Sequence, residues 1–226
     1  MMAGGALQRL PLFAGLPPET ARLLESGAQK RSFRRGEVIF HKGDPGTSMY
    51  LIVEGQVKIV LPSDTGDEAL LGVLDVGDFF GELSLIDGQP RSATIVATEP
   101  TDTIVLHRDE FLRVIRANPN VAIDMLRVLA RRLRETDEFV EDAVFLDVPG
   151  RLAKKLLELA DAYGATRADG TVIGLRLTQA ELANMVGATR ESVNKHLRSY
   201  RSRGIIDVDR QRIVIRRPDE LQRRIY

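Results

Sequence analysis

The segment Thr178-Gln179-Ala180-Glu181-Leu182-Ala183-Asn184-Met185-Val186-Gly187-Ala188-Thr189-Arg190-Glu191-Ser192-Val193-Asn194-Lys195-His196-Leu197-Arg198 sets the reading of the whole chain. Its first four residues fit a capping box, in which Thr178 and Glu181 satisfy free N–H groups and start a helix. Leu182, Ala183, Val186, Val193 and Leu197 fall on the inner faces of two successive helices. Gly187 takes the tight turn between them, the small Ala183 permits a close crossing, and Thr189 is placed to cap the second helix. This is a helix-turn-helix pattern, whose second helix enters the DNA major groove N-terminus first. The exposed side of that helix carries Arg190, Glu191, Asn194 and Lys195. Arginine and lysine suit guanine O6 and N7, and glutamate suits the cytosine amine. Gln179 and Thr189 join them at the helix starts, and Arg198, Arg201 and Arg203 suit phosphates. A plain helical hairpin with a charged outer face would need cap, turn glycine, inner face and charge to agree by accident. His196 departs from the pattern, at an inner-face position that is usually aliphatic.

Downstream, Gly204 ends the second helix. Ile205–Val208 and Arg212–Ile215 form a hairpin, the wing of a winged helix, with Asp209-Arg210-Gln211 at its tip. Upstream, a helix runs over about Arg151–Tyr163, followed by a polar loop with Gly164, Asp169 and Gly170 and a short strand near Thr171–Arg176. Pro149-Gly150 breaks the chain before that helix and marks a domain boundary. A helix over about Val121–Val148 precedes the break, and a shorter one covers about Asp109–Ala117, ending near Asn118-Pro119. The longer helix carries a stripe in alternating steps of four and three: Ala122, Leu126, Leu129, Leu133, Thr136, Val140, Ala143. That spacing is a coiled-coil seam and favours pairing with a second copy. Part of the helix's apolar surface (Val128, Phe139, Val144, Phe145) can instead pack on its own domain. Thr136 is the one polar member of the seam, and its hydroxyl can meet a bound ligand or bond back to the carbonyl four residues earlier.

From about residue 28 to 106, short β-branched runs alternate with turns: Val38–Phe40, Tyr50–Val53, Val57–Leu61, Ala69–Leu74, Thr94–Ala97 and Thr103–Leu106. Glycines recur between and within them at Gly36, Gly43, Gly55, Gly66, Gly72, Gly77, Gly81 and Gly88. This texture predicts a small antiparallel barrel or sandwich. Before it, Pro11, Pro17 and Pro18 break up short helices over residues 7–26.

The 226 residues carry no net charge, yet residues 1–149 sum to −7 and residues 150–226 to +7. The basic half expects a polyanionic partner. Zero cysteines exclude disulfides and thiolate metal or iron–sulfur ligation, and the three histidines show no ligand spacing. No 18-residue apolar run and no basic-then-apolar leader is present, so the chain is expected in the cytoplasm, with no membrane partner. No nucleophile–base pair or paired catalytic carboxylates stand out, so an enzyme is not expected.

Between the strands lies Gly77-Asp78-Phe79-Phe80-Gly81-Glu82-Leu83-Ser84-Leu85-Ile86-Asp87-Gly88-Gln89-Pro90-Arg91-Ser92-Ala93-Thr94. Gly81 permits close approach of backbone to a ligand, and a short helix beginning there aims free N–H groups at an anion. Arg91 can hold a phosphate bidentately, Ser92 adds a hydroxyl, and Glu82 is an acceptor suited to a sugar hydroxyl. By itself, a loop with one arginine and one glutamate is more often a surface ion pair.

This cassette resembles that of the cyclic-AMP receptor protein family, the CRP/FNR regulators. The likeness extends to the barrel glycines, Ala130-Arg131-Arg132-Leu133, Phe145-Leu146-Asp147-Val148 and Val186–Val193, nearly the whole chain. It implies an α+β fold in three parts. These are an N-terminal double-stranded β-helix (jelly-roll-like, cyclic-nucleotide-binding) sensory domain over 1–118, a dimerisation helix and hinge over 119–148, and a C-terminal winged helix-turn-helix over 149–226. It implies further that Gly81, Glu82 and Leu83 with Arg91 and Ser92 bind the ligand, Glu82 at the ribose 2′-hydroxyl and Arg91 and Ser92 at the cyclic phosphate. Arg132 then supports the cassette, Thr136 meets the base within one subunit, and Asp137 reaches it from the other. A serine is familiar at that last place, so Asp137 departs from the pattern. If ionised, it favours an adenine amine over guanine O6, hence cAMP over cGMP. Lys195 replaces an arginine found in many relatives. The implied protein is a homodimeric transcription regulator that needs no cofactor. Its effector is a small molecule, cAMP, and its partners are double-stranded DNA with TGTGA-like half-sites and RNA polymerase. The alternative keeps the regulator and changes the effector, or removes the need for one. A kinase or channel regulatory subunit fits the winged-helix C-terminus poorly.

Overall fold

The computed structural model describes residues 10–20, 28–63, 68–167, 170–175, 177–209 and 212–225. The chain separates into two compact units, Met1–Pro62 with Leu70–Arg134, and Ser63–Ala69 with Glu135–Tyr226.

The first unit is built on eight strands: β1 (Gln29–Phe33), β2 (Val38–Phe40), β3 (Ser48–Glu54), β4 (Val57–Pro62), β5 (Glu68–Leu74), β6 (Phe79–Phe80), β7 (Thr94–Ala97) and β8 (Thr101–His107). They form two four-stranded sheets, in the orders β1-β8-β3-β6 and β2-β7-β4-β5. Strand alternation gives the first sheet two buried faces. On β3, Tyr50 and Ile52 join Phe33, Val57, Phe80, Ile95 and Val105 in one cluster. Met49 and Leu51, pointing the other way, join Leu12, Phe13, Phe111, Val121 and Met125. This two-sided burial is why β3 reads as a continuous apolar run rather than an alternating one. Gly55 turns β3 into β4 at φ +86°, where a Cβ would stand 2.3 Å from the Pro100 carbonyl oxygen, so only glycine fits. Each strand expected from the β-branched runs is present, but β1 and β6 were not expected. β1 (QKRSF) is a polar edge strand with one buried residue, and β6 is only two residues long.

Helix α1 (Glu82–Asp87) lies in the cassette, and α2 (Arg108–Ala117) leads through Asn118-Pro119 into α3 (Asn120–Phe145). Val121 and Met125 are buried, and Val128 and Leu129 pack against the first core. Leu126, Leu133 and Val140 of the heptad stripe are 63%, 61% and 53% exposed. Val144 and Phe145, which the sequence left free to pack on their own domain, are exposed too.

The second unit holds α4 (Val148–Tyr163), β9 (Gly164–Arg167), β10 (Gly170–Ile173), α5 (Gln179–Val186), α6 (Arg190–Ser202), β11 (Ile206–Asp209), β12 (Arg212–Ile215) and α7 (Pro218–Gln222). Its sheet runs β11-β12-β10-β9. Two expectations are corrected here. The stretch read as a polar loop after Tyr163 forms the β9–β10 hairpin, whose exposed outer strand carries no apolar pattern. Pro149-Gly150 opens a helix instead of breaking one: Asp147 caps α4 by accepting from the Gly150 N–H at 2.8 Å, and Pro149 sits in the first turn, where its missing N–H costs nothing. The break itself lies at Leu146-Asp147. Of the expected wing tip, Arg210 and Gln211 lie outside the described residues, as do the turn residues Asp64–Asp67.

Candidate functional site

The cassette begins where Gly81, at φ +79°, turns β6 into α1. Glu82, the first residue of α1, is 5% exposed, and Arg91, beyond its far end, is also 5% exposed. Arg91 Nη1 donates to the Gly81 carbonyl at 2.7 Å. Its guanidinium lies 4.2 Å from the centre of the Phe40 ring and 6.0 Å from that of Tyr50. A Cβ on Gly46 would meet that guanidinium at 2.5 Å, so a glycine there makes room for it. Among the described residues Arg91 makes no ion pair, and its Nε is buried without a partner. Burial lowers its pKa from the usual arginine value.

Glu82 is partnered from α3. Arg132 Nη1 stands 3.2 Å from Glu82 Oε1, Arg132 Nη2 donates to the Phe79 carbonyl at 2.8 Å, and the guanidinium lies 4.8 Å from the Phe79 ring centre. Burial pushes the Glu82 carboxyl above its ordinary pKa, with Arg132 as the main opposing influence. A raised folded-state pKa gives stability that is complete below the unfolded value and is lost as pH rises through the folded one. Arg132→Ala removes the opposing charge, so the Glu82 carboxyl rises further and ionising it within the barrel costs more. The variant is expected to lose about 2 kcal/mol at pH 7, below the roughly 3–5 kcal/mol of a broken, fully buried pair because Arg132 is partly exposed. It should regain much of that relative to wild type by pH 5. Thermal unfolding at the two pH values checks this, and adding Glu82→Gln should flatten the difference.

Gly81, Glu82, Arg91 and Arg132 are thus gathered in one place, as expected. Leu83 and Ser92 lie in the same cassette with exposed side chains, and Leu83 is 43% exposed. Thr136 and Asp137 follow four and five residues after Arg132 on α3, where both are exposed. Phe40, Tyr50 and Gly46 were missed as cassette residues. Their only sequence signal was strand or turn character, and their role comes from pairing across the sheets.

The reading head has the expected anatomy. Thr178 Oγ1 accepts from the Glu181 N–H at 3.2 Å, and Glu181 Oε2 accepts from the Thr178 N–H at 2.7 Å. Gly187 turns at φ +60°, and Thr189 accepts from the Ser192 N–H at 3.2 Å. Leu182, Ala183, Val186, Val193 and Leu197 are all buried, and His196 is half-buried. Arg190, Glu191, Lys195 and Arg198 are exposed, while Gln179 and Asn194 are half-buried. A groove of about 690 Å³ between α5, α6 and the wing exposes Gln179, Arg190, Asn194, Arg198 and Arg201. A second recess of about 650 Å³, on the other flank of α6, exposes Glu191, Asn194 and Lys195. Two of the arginines expected at phosphates have acidic neighbours: Arg201 stands 3.5 Å from Asp207, which also accepts from Arg216 at 3.1 Å, and Arg203 stands 3.5 Å from Glu220. Arg216 and the Val208 N–H hold the Asp207 carboxyl below its ordinary pKa.

Within the second unit, the end of α3 is tied to this head. Arg151 donates to the carbonyls of Leu146 (2.9 Å), Val186 (2.8 Å) and Gly187 (3.4 Å), joining the break after α3 to the helix-turn-helix turn. A Cβ on Gly187 would meet the Phe139 ring at 3.2 Å. Lys154 pairs with Asp142 at 2.6 Å, and the Tyr200 hydroxyl donates to the Pro149 carbonyl at 2.8 Å. Burial pushes that phenol up to about 12, so it remains a donor at neutral pH.

A barrel with a buried arginine–glutamate cassette, joined to a winged helix-turn-helix, defines a class of transcription regulators that couple a small-molecule effector to DNA. A cyclic nucleotide-binding domain model matches residues 30–118, and a Crp-like helix-turn-helix domain model matches residues 150–224. The CRP-like cAMP-activated global transcriptional regulator of Mycobacterium tuberculosis is 38% identical over 218 residues, 96% of this chain and 97% of the relative. The Cyclic AMP receptor protein of Thermus thermophilus is 37% identical over 196 residues, 87% of this chain and 88% of the relative. Among solved structures, the c-di-GMP responsive global regulator CLP of Xanthomonas campestris shares the fold, with a TM-score of 0.76 at 23% identity over 88% of this chain and 99% of that one. The chain belongs to the CRP/FNR family of transcription regulators. Its relatives are regulators and not enzymes, and no helix among the described residues is long and apolar enough to cross a membrane.

Proposed function

We propose that this chain is a homodimeric regulator controlled by cAMP, binding palindromic promoter DNA with TGTGA-like half-sites. The observation that carries the reading is the Arg91 guanidinium, buried at a glycine-cleared position beside a buried Glu82 and making no ion pair among the described residues. A buried cation without a carboxylate is costly unless an anion joins it. A cyclic phosphate supplies the anion, and the ribose hydroxyl beside it supplies a donor for Glu82. Thr136 and Asp137 are proposed to meet the base, and RNA polymerase is the proposed protein partner. The exposed Leu126, Leu133 and Val140 suit pairing with a second copy of α3. Ligand then biases the pair toward an arrangement that sets two recognition helices about 34 Å apart, one DNA turn.

The test is a gel shift on a TGTGA-N6-TCACA duplex with no nucleotide, with cAMP and with cGMP. Strong retardation with cAMP and little with either control is expected. Equal binding in all three lanes would remove the effector from the account, and preference for cGMP would overturn the role given to Asp137.

A further inference from the structure

The recognition helix α6 presents long charged groups, and in their midst stands one short amide. Asn194 is half-buried and lies one helical turn after Arg190 and next to Lys195. It lines both openings on the flanks of α6. It is also held: Gln179 Nε2, from the first turn of α5, donates to Asn194 Oδ1 at 3.4 Å. That bond crosses between the two helices of the motif and restricts the rotation of the amide. An amide oxygen accepts twice and an amide nitrogen donates twice. With one lone pair engaged by Gln179, Asn194 keeps a second lone pair and both Nδ2 protons. Those are the groups that match N6–H and N7 of adenine in the major groove. The flanking arginine and lysine match guanine.

We infer that Asn194 reads the adenine of the T·A pair lying between the two G·C pairs of the GTG core, with Gln179 as its positioning residue. This rests on the proposed TGTGA-like half-site. Along the helix surface, Asn194 falls between the guanine-reading Arg190 and Lys195, as that pair falls between the two G·C pairs. The second Nε2 proton of Gln179 remains for a phosphate oxygen, since the first helix of such a motif crosses the DNA backbone. Base contact and backbone contact are then linked through one pair of amides.

The experiment places 7-deaza-2′-deoxyadenosine opposite the central thymine of each half-site. This removes the N7 acceptor and leaves base pairing intact. Full-length wild type, Asn194→Ala and Gln179→Ala are titrated with natural and modified duplexes, and with duplexes altered at the neighbouring G·C pairs. Wild type should lose about 10-fold in affinity per modified half-site, the order expected for one good base contact, and so about 100-fold as a dimer on the doubly modified duplex. Asn194→Ala should bind both duplexes alike while keeping its full preference at the G·C pairs, and Gln179→Ala should fall between. A wild type indifferent to the modification, or equal losses in wild type and Asn194→Ala, would overturn the assignment. So would an Asn194→Ala protein weakened uniformly over all sequences. If wild type shows no preference at the G·C pairs either, the half-site reading itself fails.

Discussion

Replacing Arg91 with alanine should weaken cyclic-nucleotide binding by at least about 100-fold and abolish the response of DNA binding to nucleotide. The guanidinium can give a cyclic phosphate two parallel charge-assisted hydrogen bonds, each worth about 1.5–3 kcal/mol. Their loss corresponds to two or more powers of ten in affinity. The barrel should survive the change. Among the described residues Arg91 makes no ion pair and its Nε has no partner, so the barrel loses one bond to the Gly81 carbonyl and the stacking of the guanidinium on Phe40. Arg91→Lys keeps the charge and loses the fork, so it should recover only part of the affinity. Calorimetric titration with cAMP on the three proteins, beside thermal unfolding of each, checks this. A variant that binds cAMP as wild type does would remove Arg91 from the phosphate site and, with it, the main support for the proposed effector.

The second large effect concerns the stripe on α3. Leu126 and Leu133 are mostly exposed within the single chain, so Leu126→Glu with Leu133→Glu removes little from the internal core. On a paired helix the same change places four carboxylates in an apolar seam, and dimerisation should be lost at micromolar concentration. Separation of the two reading heads forfeits avidity, which for two linked modules is about 10²–10⁴. The double variant should therefore sediment as a folded monomer and bind a palindrome hardly better than a single half-site. A dimer that persists, or palindrome binding at wild-type strength, would show that the stripe is not the interface.

Legibility followed distance along the chain. The capping box, the turn glycine, the Thr189 cap and the inner face of the helix-turn-helix connect residues three or four positions apart, and all stand in the structure as expected. Strands with β-branched runs were equally plain. β1 was not, because an edge strand with one buried residue carries no hydrophobic pattern. The β9–β10 hairpin was hidden for the same reason. Pro149 misled because proline stops one helix or starts another with equal ease, and only the cap on Asp147 decides which. The charge asymmetry pointed to a polyanion, but it could not show that Asp207 and Glu220 stand beside two of the basic residues.

By itself, then, the order of residues determined the reading head, the strand-rich front and the heptad spacing on α3, since each is a matter of local periodicity and capping. Tertiary structure alone decided the chemical state of the cassette. Glu82 meets Arg132 across 50 positions, and Arg91 lies on Phe40 in a space that Gly46 clears. Burial, which is the main influence on the pKa of both charged groups and leaves the Arg91 Nε without a partner among the described residues, is a property of the closed sheets. No window of sequence contains it, because the atoms that exclude water from the site come from strands far apart in the chain.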